Sequence, residues 1–216
     1  MKDLNLAWSE AAETVETLED GIVLEHFVCG RDVTALEALP EVFGNPTEDA
    51  RVWSRAESEF SDQAMCEKYA VEQLTGRSLS EGAVLSELES RGCLNRAYGT
   101  VRAELGCFAE SVGLRVTYEM NLSWKELCES LENGEKILCP VSGIALAFPE
   151  LADMPGLSPD RTVELIGIDA ANPEEKRVIL NDPFAVTGGS VIDYDTFFAA
   201  WERSGCFAAI ISASED

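Results

Sequence analysis

The clearest hydrophobic pattern in the chain is a pair of aliphatic runs near its C-terminal end. Residues 161–169 and 177–183 are rich in β-branched and aliphatic side chains, and the polar link between them is full of turn-forming residues. This arrangement predicts two adjacent strands joined by a hairpin-like connection. Shorter apolar runs predict further strands over residues 114–118, 136–141 and 207–211.

Apolar residues at helical spacing predict helices, most of which precede these strands. The helix with the clearest ends runs from Ser61 to Gly76, with Ser61 or Asp62 as its cap and Gly76 as its stop. Others are predicted over residues 80–92, 100–113, 123–131 and 194–203. Because the helices are segregated from the antiparallel strands, the pattern indicates an α+β fold with helices packed on a small antiparallel sheet.

The first 50 residues differ from the rest in their pattern of predicted elements. A helix-compatible stretch over 9–19 is followed by a strand-like run over 22–28 and then by a segment rich in turn formers. We expect residues 1–50 to be an N-terminal extension that is not independent and packs on a main domain of residues 51–216. The total of 216 residues fits one domain with an appended segment.

The large net negative charge of the chain limits the kinds of molecule it can bind. Forty acidic and sixteen basic residues give a formal net charge of −24, which disfavours nucleic acid and anionic membranes. The excess acid either forms a solvated surface or selects a basic peptide or protein partner. Neither a signal peptide nor an 18-residue apolar run is present, so no membrane insertion is expected.

The cysteines and the single histidine restrict the chemistry. Seven cysteines, an odd number without a Cys-x-x-Cys motif, argue against a disulfide framework or a zinc knuckle and suit a reducing cytoplasm. We expect a cytoplasmic protein without a cofactor or metal. His26 is the only histidine, so a mechanism that needs an imidazole must use it or do without.

Cys66 is the cysteine placed best for chemistry. It falls in or near the first turn of the helix that begins at residue 61 or 62, where the helix dipole and unpaired N–H groups lower a thiol pKa. The alternative is a buried core residue, since Tyr69, Ala70 and Leu74 lie on the same side of the helix.

The order of these features resembles the double-glycine peptidases, papain-like cysteine peptidases that cut bacteriocin leaders, and their stand-alone bacterial relatives. That layout is a helix-opening cysteine, further helices, a strand that begins with a catalytic histidine, and a strand that ends in Asn-Asp-Pro. The resemblance covers residues 45–212 and is most specific over 160–169 and 178–183, with a similar ending over 194–206.

The resemblance implies a nucleophile at Cys66 and an orienting acid at Asp182, and both residue types are kept. The family's histidine falls on Arg161. The glutamine that serves these enzymes as an oxyanion-hole donor is missing from residues 53–60, and Gln63 lies too close to Cys66 for the usual spacing.

These losses should suppress the family's reaction. Arg161 stays protonated and cannot supply a proton to the leaving amine, although it could lower the Cys66 pKa electrostatically. Losing the acid–base group costs about 10²–10⁴ in rate, and losing the oxyanion donor costs roughly another 10²–10³. We expect an ion pair between Arg161 and Asp182 in place of the dyad, unless Asp182 is simply a turn residue.

Three functions remain open. The first is a papain-like domain that binds a peptide or protein partner without cutting it. The second is a cysteine hydrolase acting on peptide bonds, with Cys66 as nucleophile and Asp182 or Asp160 as base, or with His26 if the extension reaches the site. The third is an acidic domain whose role lies on another surface.

Overall fold

The computed structural model describes residues 42–95, 99–100, 102–172 and 174–214. The predicted helix over 9–19, the strand over 22–28 and His26 lie outside these residues. Within them, the α+β fold class is confirmed.

Nine strands are present in the described part of the chain. They are β1 (Val42–Gly44), β2 (Leu94–Asn95), β3 (Gly99–Thr100), β4 (Arg115–Glu119), β5 (Lys136–Val141), β6 (Arg161–Asp169), β7 (Arg177–Asn181), β8 (Ser190–Asp193) and β9 (Ala208–Ser212). Seven of them form one sheet in the order β4-β9-β5-β6-β7-β8, with β1 also paired to β6, while β2 and β3 form a separate ribbon. All these pairs are antiparallel.

Seven α-helices accompany them: α1 (Pro46–Asp49), α2 (Asp62–Thr75), α3 (Glu81–Ser90), α4 (Cys107–Ser111), α5 (Trp124–Glu132), α6 (Gly143–Ala147) and α7 (Tyr194–Glu202). Short 3₁₀ turns cover Ala50–Val52, Arg102–Glu104 and Pro149–Leu151. Among the described residues, no helix is both long and apolar enough to cross a bilayer.

The predicted β6–β7 pair is confirmed. Its register runs from Glu164 opposite Asn181 to Asp169 opposite Arg177, with one shift between Leu165 and Gly167. Both faces of this part of the sheet are covered, which explains why the sequence shows a continuous apolar run rather than an alternation.

Successive side chains of the central strands enter two different cores. Ile137 of β5 and Ile210 of β9 join a cluster with α5 and α7, whereas Leu138 and Ile211, their neighbours in sequence, join a cluster with α2, α3 and α4. This is the two-residue periodicity of a strand buried on both sides. The sheet is therefore the middle layer of the fold.

The predicted helix ends are correct for α2 and α5. Gly76 ends α2 in the left-handed region at φ 68°, and Ser123 with Glu126 forms the predicted capping box of α5. The predicted helix over 100–113 is wrong. Gly106 has φ 99° and breaks that segment, which leaves only the short helix α4.

Residues 42–49, part of the predicted extension, join the main sheet. β1 pairs with the end of β6 from Val42 opposite Asp169 to Gly44 opposite Gly167. Beyond it, the Asp49 carboxylate accepts a hydrogen bond from Lys136 Nζ at 2.7 Å in a buried ion pair. This part of the extension is thus held by the domain core.

Candidate functional site

The site that the sequence indicates lies where β6 begins and β7 ends. Arg161 is the first residue of β6, and Asp182 directly follows β7, so the antiparallel pairing brings them together. Arg161 Nη1 lies 2.8 Å from Asp182 Oδ2, and the two side chains are only 16% and 7% exposed. The predicted Arg161–Asp182 ion pair is confirmed.

Further contacts fix both members of this pair. Asp182 Oδ1 accepts a hydrogen bond from Phe184 N at 2.9 Å, and the Asp182 carbonyl accepts one from Trp53 Nε1 at 2.7 Å. The Arg161 guanidinium lies over the Phe184 ring, 5.3 Å from its centroid. Asp182 is therefore both a turn residue and an ion-pair partner, and these contacts hold the guanidinium in place.

The N-terminus of α2 is anchored beside Arg161. Asp62, the first helical residue, accepts a hydrogen bond from Thr162 N at 2.6 Å through Oδ2. Burial raises the pKa of Asp62 to about 6, against the lowering effect of that hydrogen bond and of the Arg161 charge. The helix start and the site end of β6 are thus connected directly.

Cys66 lies directly after the first turn of α2, which agrees with its predicted place in or near that turn. Since α2 begins at Asp62, Cys66 is its fifth residue, and it is 0% exposed. Its thiol donates a hydrogen bond to the Thr162 carbonyl, with Sγ 3.4 Å from the oxygen. The burial of Cys66, not its position, favours the alternative interpretation, a core cysteine.

The electrostatic expectation for Cys66 is wrong. Burial raises the pKa of the Cys66 thiol well above its ordinary value, and the carboxylates of Glu164, Asp62 and Asp182 raise it further. The positive charge of Arg161 is neutralised by its ion pair with Asp182. Cys66 is therefore a protonated thiol at neutral pH.

The first turn of α2 holds other side chains, namely Asp62, Gln63, Ala64 and Met65. None of these four residues is a cysteine. Gln63 Oε1 is buried without a hydrogen-bond partner. The signal that identifies Cys66 as a core residue is its helical spacing to Tyr69 and Ala70, which are both 0% exposed.

Asp160, the other acid considered as a base, has a structural partner. Its Oδ1 accepts a hydrogen bond from Gly143 N at 2.6 Å, at the start of α6. A Cβ atom at Gly143 would lie 3.2 Å from Arg161 Nε, so the absence of a side chain there leaves room for the guanidinium. Asp160 and Gly143 thus help to shape the surroundings of Arg161.

A buried acid next to the site was not found by sequence reasoning. Glu164 is 0% exposed, and its Oε2 accepts hydrogen bonds from Asn181 Nδ2 at 2.9 Å and Gln73 Nε2 at 3.1 Å. Burial raises the pKa of Glu164 to about 8, and the nearby Asp49 raises it further. Asn181 of the Asn-Asp-Pro sequence is therefore a structural residue that pairs with this acid.

The sequence argues against a disulfide framework, and the described residues contain a single disulfide. Cys93 and Cys107 form a disulfide, whereas Cys66, Cys128, Cys139 and Cys206 are free and buried. The two paired cysteines are 14 residues apart, so no short spacing motif marks them in the sequence.

The comparisons with known proteins address the fold. No protein-family model and no curated protein matches the chain. The crystal structure of a C39-like peptidase from Bacillus anthracis matches with a TM-score of 0.50 and 17% identity, covering 73% of this chain and 89% of that one.

Two other solved structures match at lower scores. The peptidase domain of Streptococcus ComA, a bi-functional ABC transporter involved in quorum sensing, has a TM-score of 0.49 and 12% identity, over 75% of this chain and 98% of that one. Recombinant stem bromelain precursor has a TM-score of 0.46 and 12% identity, over 89% and 76%. The chain has the papain-like fold of the C39-like cysteine peptidases.

Proposed function

We propose that this chain is a non-catalytic papain-like domain that binds a peptide or protein partner. The observation that carries the proposal is the ion pair between Arg161 and Asp182, 2.8 Å apart, where the resemblance implies a histidine held by an acid. A guanidinium remains protonated at any ordinary pH, so it can neither accept the thiol proton nor deliver one to a leaving amine.

The position of the thiol supports the same proposal. A cysteine nucleophile needs exposure and a lowered pKa, as at a helix N-terminus beside a cation. Cys66 lies one turn further along α2, is 0% exposed, and has a raised pKa. The nucleophile and the proton carrier are therefore both unsuited to amide hydrolysis.

The charge of the chain suggests the chemistry of the partner. A formal net charge of −24 attracts cationic molecules and repels anionic ones over the range of the Debye length. We expect a basic peptide or a protein with a basic surface, bound more weakly as the salt concentration rises. We expect this interaction to take place in the cytoplasm, in keeping with four free cysteines, and the Cys93–Cys107 disulfide is the exception to that expectation.

Two measurements on the full chain test the proposal. In the first, a mixed-sequence peptide library is incubated with the wild type, with Cys66→Ala, and with Cys128→Ala as a matched control from the other core. Mass spectrometry should detect no cleavage in any sample. Cleavage by the wild type and Cys128→Ala that disappears in Cys66→Ala would overturn the proposal in favour of a cysteine hydrolase.

The second measurement concerns binding. Fluorescence anisotropy compares cationic and anionic peptide pools of equal length. Binding of the cationic pool should survive in Cys66→Ala and weaken with added salt. Equal binding of the two pools, or of neither, would contradict the role as a binder of basic partners.

A further inference from the structure

Three metal-ligating side chains converge far from Arg161 in the sequence and outside the site described above. The Sγ atoms of Cys93 and Cys107 and a carboxylate oxygen of Glu104 all lie within 4.8 Å of one another. Cys93 follows α3, Glu104 ends a 3₁₀ turn, and Cys107 opens α4. Three separate segments therefore contribute one ligand atom each.

We propose that the reduced form of this cluster binds a thiolate-seeking divalent cation of the Zn²⁺ class. Two thiolates and one carboxylate are ligands that Zn²⁺ accepts, and a water molecule would complete a tetrahedral set of four. Hard cations such as Mg²⁺ or Ca²⁺ prefer oxygen ligands throughout and would be poor competitors. The inference is independent of the function proposed above.

The backbone separation of Cys93 and Cys107 suits both a disulfide and a pair of metal-bound thiolates. Their Cα atoms are 6.7 Å apart, close to the upper end of the roughly 4.4–6.8 Å range seen for disulfides. In a tetrahedral site with Zn–S bonds of about 2.3 Å, two sulfur atoms lie roughly 3.8 Å apart. Side-chain rotation can provide that separation once the S–S bond is broken, without bringing the backbones closer.

Burial gives the cluster a closed side and an open side. Cys93 is 7% exposed and packs in the cluster that contains Leu94, Leu105 and Phe108. Glu104 and Cys107 are only partly buried. The apolar side strengthens the attraction between the cation and its anionic ligands, and the open side admits the cation and the fourth ligand.

The disulfide form and the metal-bound form of Cys93 and Cys107 exclude each other, because the same two sulfur atoms are needed for both. A dithiol reductant transfers two electrons and two protons to the Cys93–Cys107 bond and is itself oxidised to a disulfide. Each released thiol then loses its proton to solvent as the cation binds. Exchange with an oxidised disulfide compound, which accepts two electrons and is reduced to a dithiol, restores the Cys93–Cys107 bond and removes two of the three protein ligands, so the cation is released.

Cobalt is the probe for the test, because Co²⁺ replaces Zn²⁺ and gives thiolate charge-transfer and tetrahedral d–d absorption bands. The full chain is reduced with a dithiol, desalted without oxygen and titrated with Co²⁺. The expected result is one Co²⁺ per chain with both bands, displaced by Zn²⁺. The unreduced chain should give neither band, and their absence after reduction would overturn the proposal.

Variants assign the ligands. Cys93→Ser and Cys107→Ser should abolish the charge-transfer band, and Glu104→Gln should weaken Co²⁺ binding by at least the roughly tenfold loss typical of outer-shell partners. Cys128→Ser serves as the control, because Cys128 lies in the other core, and it should keep the wild-type titration. A band that persists in Cys93→Ser, or an unchanged affinity in Glu104→Gln, would show that this cluster is not the site.

A measurement without mutation guards against variants that fail to fold. Zn²⁺ should raise the Tm of the reduced wild type, because a ligand that binds only the folded state stabilises it, and should leave the Tm of the oxidised wild type unchanged. Equal shifts in both forms would contradict binding through Cys93 and Cys107.

Discussion

Arg161 Nη1 and Asp182 Oδ2 are 2.8 Å apart on neighbouring strands, with both side chains largely withdrawn from solvent. A pair of this kind contributes little net free energy compared with apolar residues of similar volume, but losing one partner leaves a buried charge alone. The pair therefore makes the folded chain sensitive to changes at either residue.

Asp182→Asn should lower the free energy of unfolding by roughly 2–4 kcal/mol, near the lower part of the range for breaking buried pairs because Arg161 keeps some exposure. The asparagine Oδ1 can still accept the hydrogen bond from Phe184 N, so the change keeps the turn and removes both the charge and the acceptor of the Arg161 hydrogen bond. Urea unfolding measures it. In a double-mutant cycle, Arg161→Met together with Asp182→Asn should cost less than the sum of the single changes, and strict additivity would contradict the coupling.

The buried acid Glu164 should make stability fall as pH rises. Its pKa is raised from 4.5 to about 8 in the folded chain, so between these values the folded state binds the proton that the unfolded state has lost. Unfolding free energy should therefore decrease from about pH 4.5 to about pH 8, by on the order of a few kcal/mol, and level off above.

Glu164→Gln should remove the largest single contribution to this slope, because the amide resembles the protonated acid and can keep the contacts with Asn181 and Gln73. Glu67, whose pKa burial raises to about 7, adds a smaller slope of the same sign, so Glu164→Gln with Glu67→Gln should be flatter still. Chemical unfolding at a series of pH values provides the test. An unchanged slope in Glu164→Gln would show that this acid does not carry the effect.

Thiol labelling should distinguish position 63 from position 66. Cys66 should remain unmodified by iodoacetamide in the native chain at pH 7 and react only after denaturation, because it is 0% exposed and has a raised pKa. In Gln63→Cys the new thiol lies at a half-buried position in the first turn of a 14-residue helix, where the dipole favours the thiolate, and should react faster than Cys66 in the folded protein. Peptide mapping by mass spectrometry identifies the labelled residue, and labelling of Cys66 ahead of all others would contradict the assignment.

The glycine at the end of β1 should tolerate no side chain. Gly44 has φ +83°, and a Cβ atom there would lie 2.5 Å from the Ile166 carbonyl oxygen. Gly44→Ala should lower the free energy of unfolding by roughly 1–3 kcal/mol through strain. Gly82→Ala is the matched control: no atom lies within 4 Å of its added Cβ in α3, and it should stabilise the chain by about 0.5 kcal/mol. Thermal unfolding compares the two, and equal effects would contradict the steric argument.

Short stretches of sequence were sufficient to predict several strands and helix ends. The strands β6 and β7, the stop of α2 at Gly76 and the capping box of α5 each depend on residues that are close in sequence. The Arg161–Asp182 pair was also predicted, because the apolar runs indicated two neighbouring strands and the resemblance placed the two residues in one site at their ends.

The rest depended on contacts that no local pattern records. Glu164 lies in an apolar strand, but its partner Gln73 is 91 residues away in sequence. Ser61 and Asp62 are both acceptable caps, so the helix start alone did not decide whether Cys66 faces the site or the core. The helical spacing of Cys66 to Tyr69 and Ala70, both fully buried, is the pattern in the sequence that indicates the core.

β6 shares one of its edges between two partners: β5 pairs with residues 161–165, and β1 pairs with residues 167–169. A shortened chain that begins after residue 50 would leave residues 167–169 without a partner strand on this edge, although β7 still pairs with them on the other, and would leave Lys136 buried without Asp49. Such a truncated protein should associate through that bare strand edge, so the boundary for recombinant production lies before Val42.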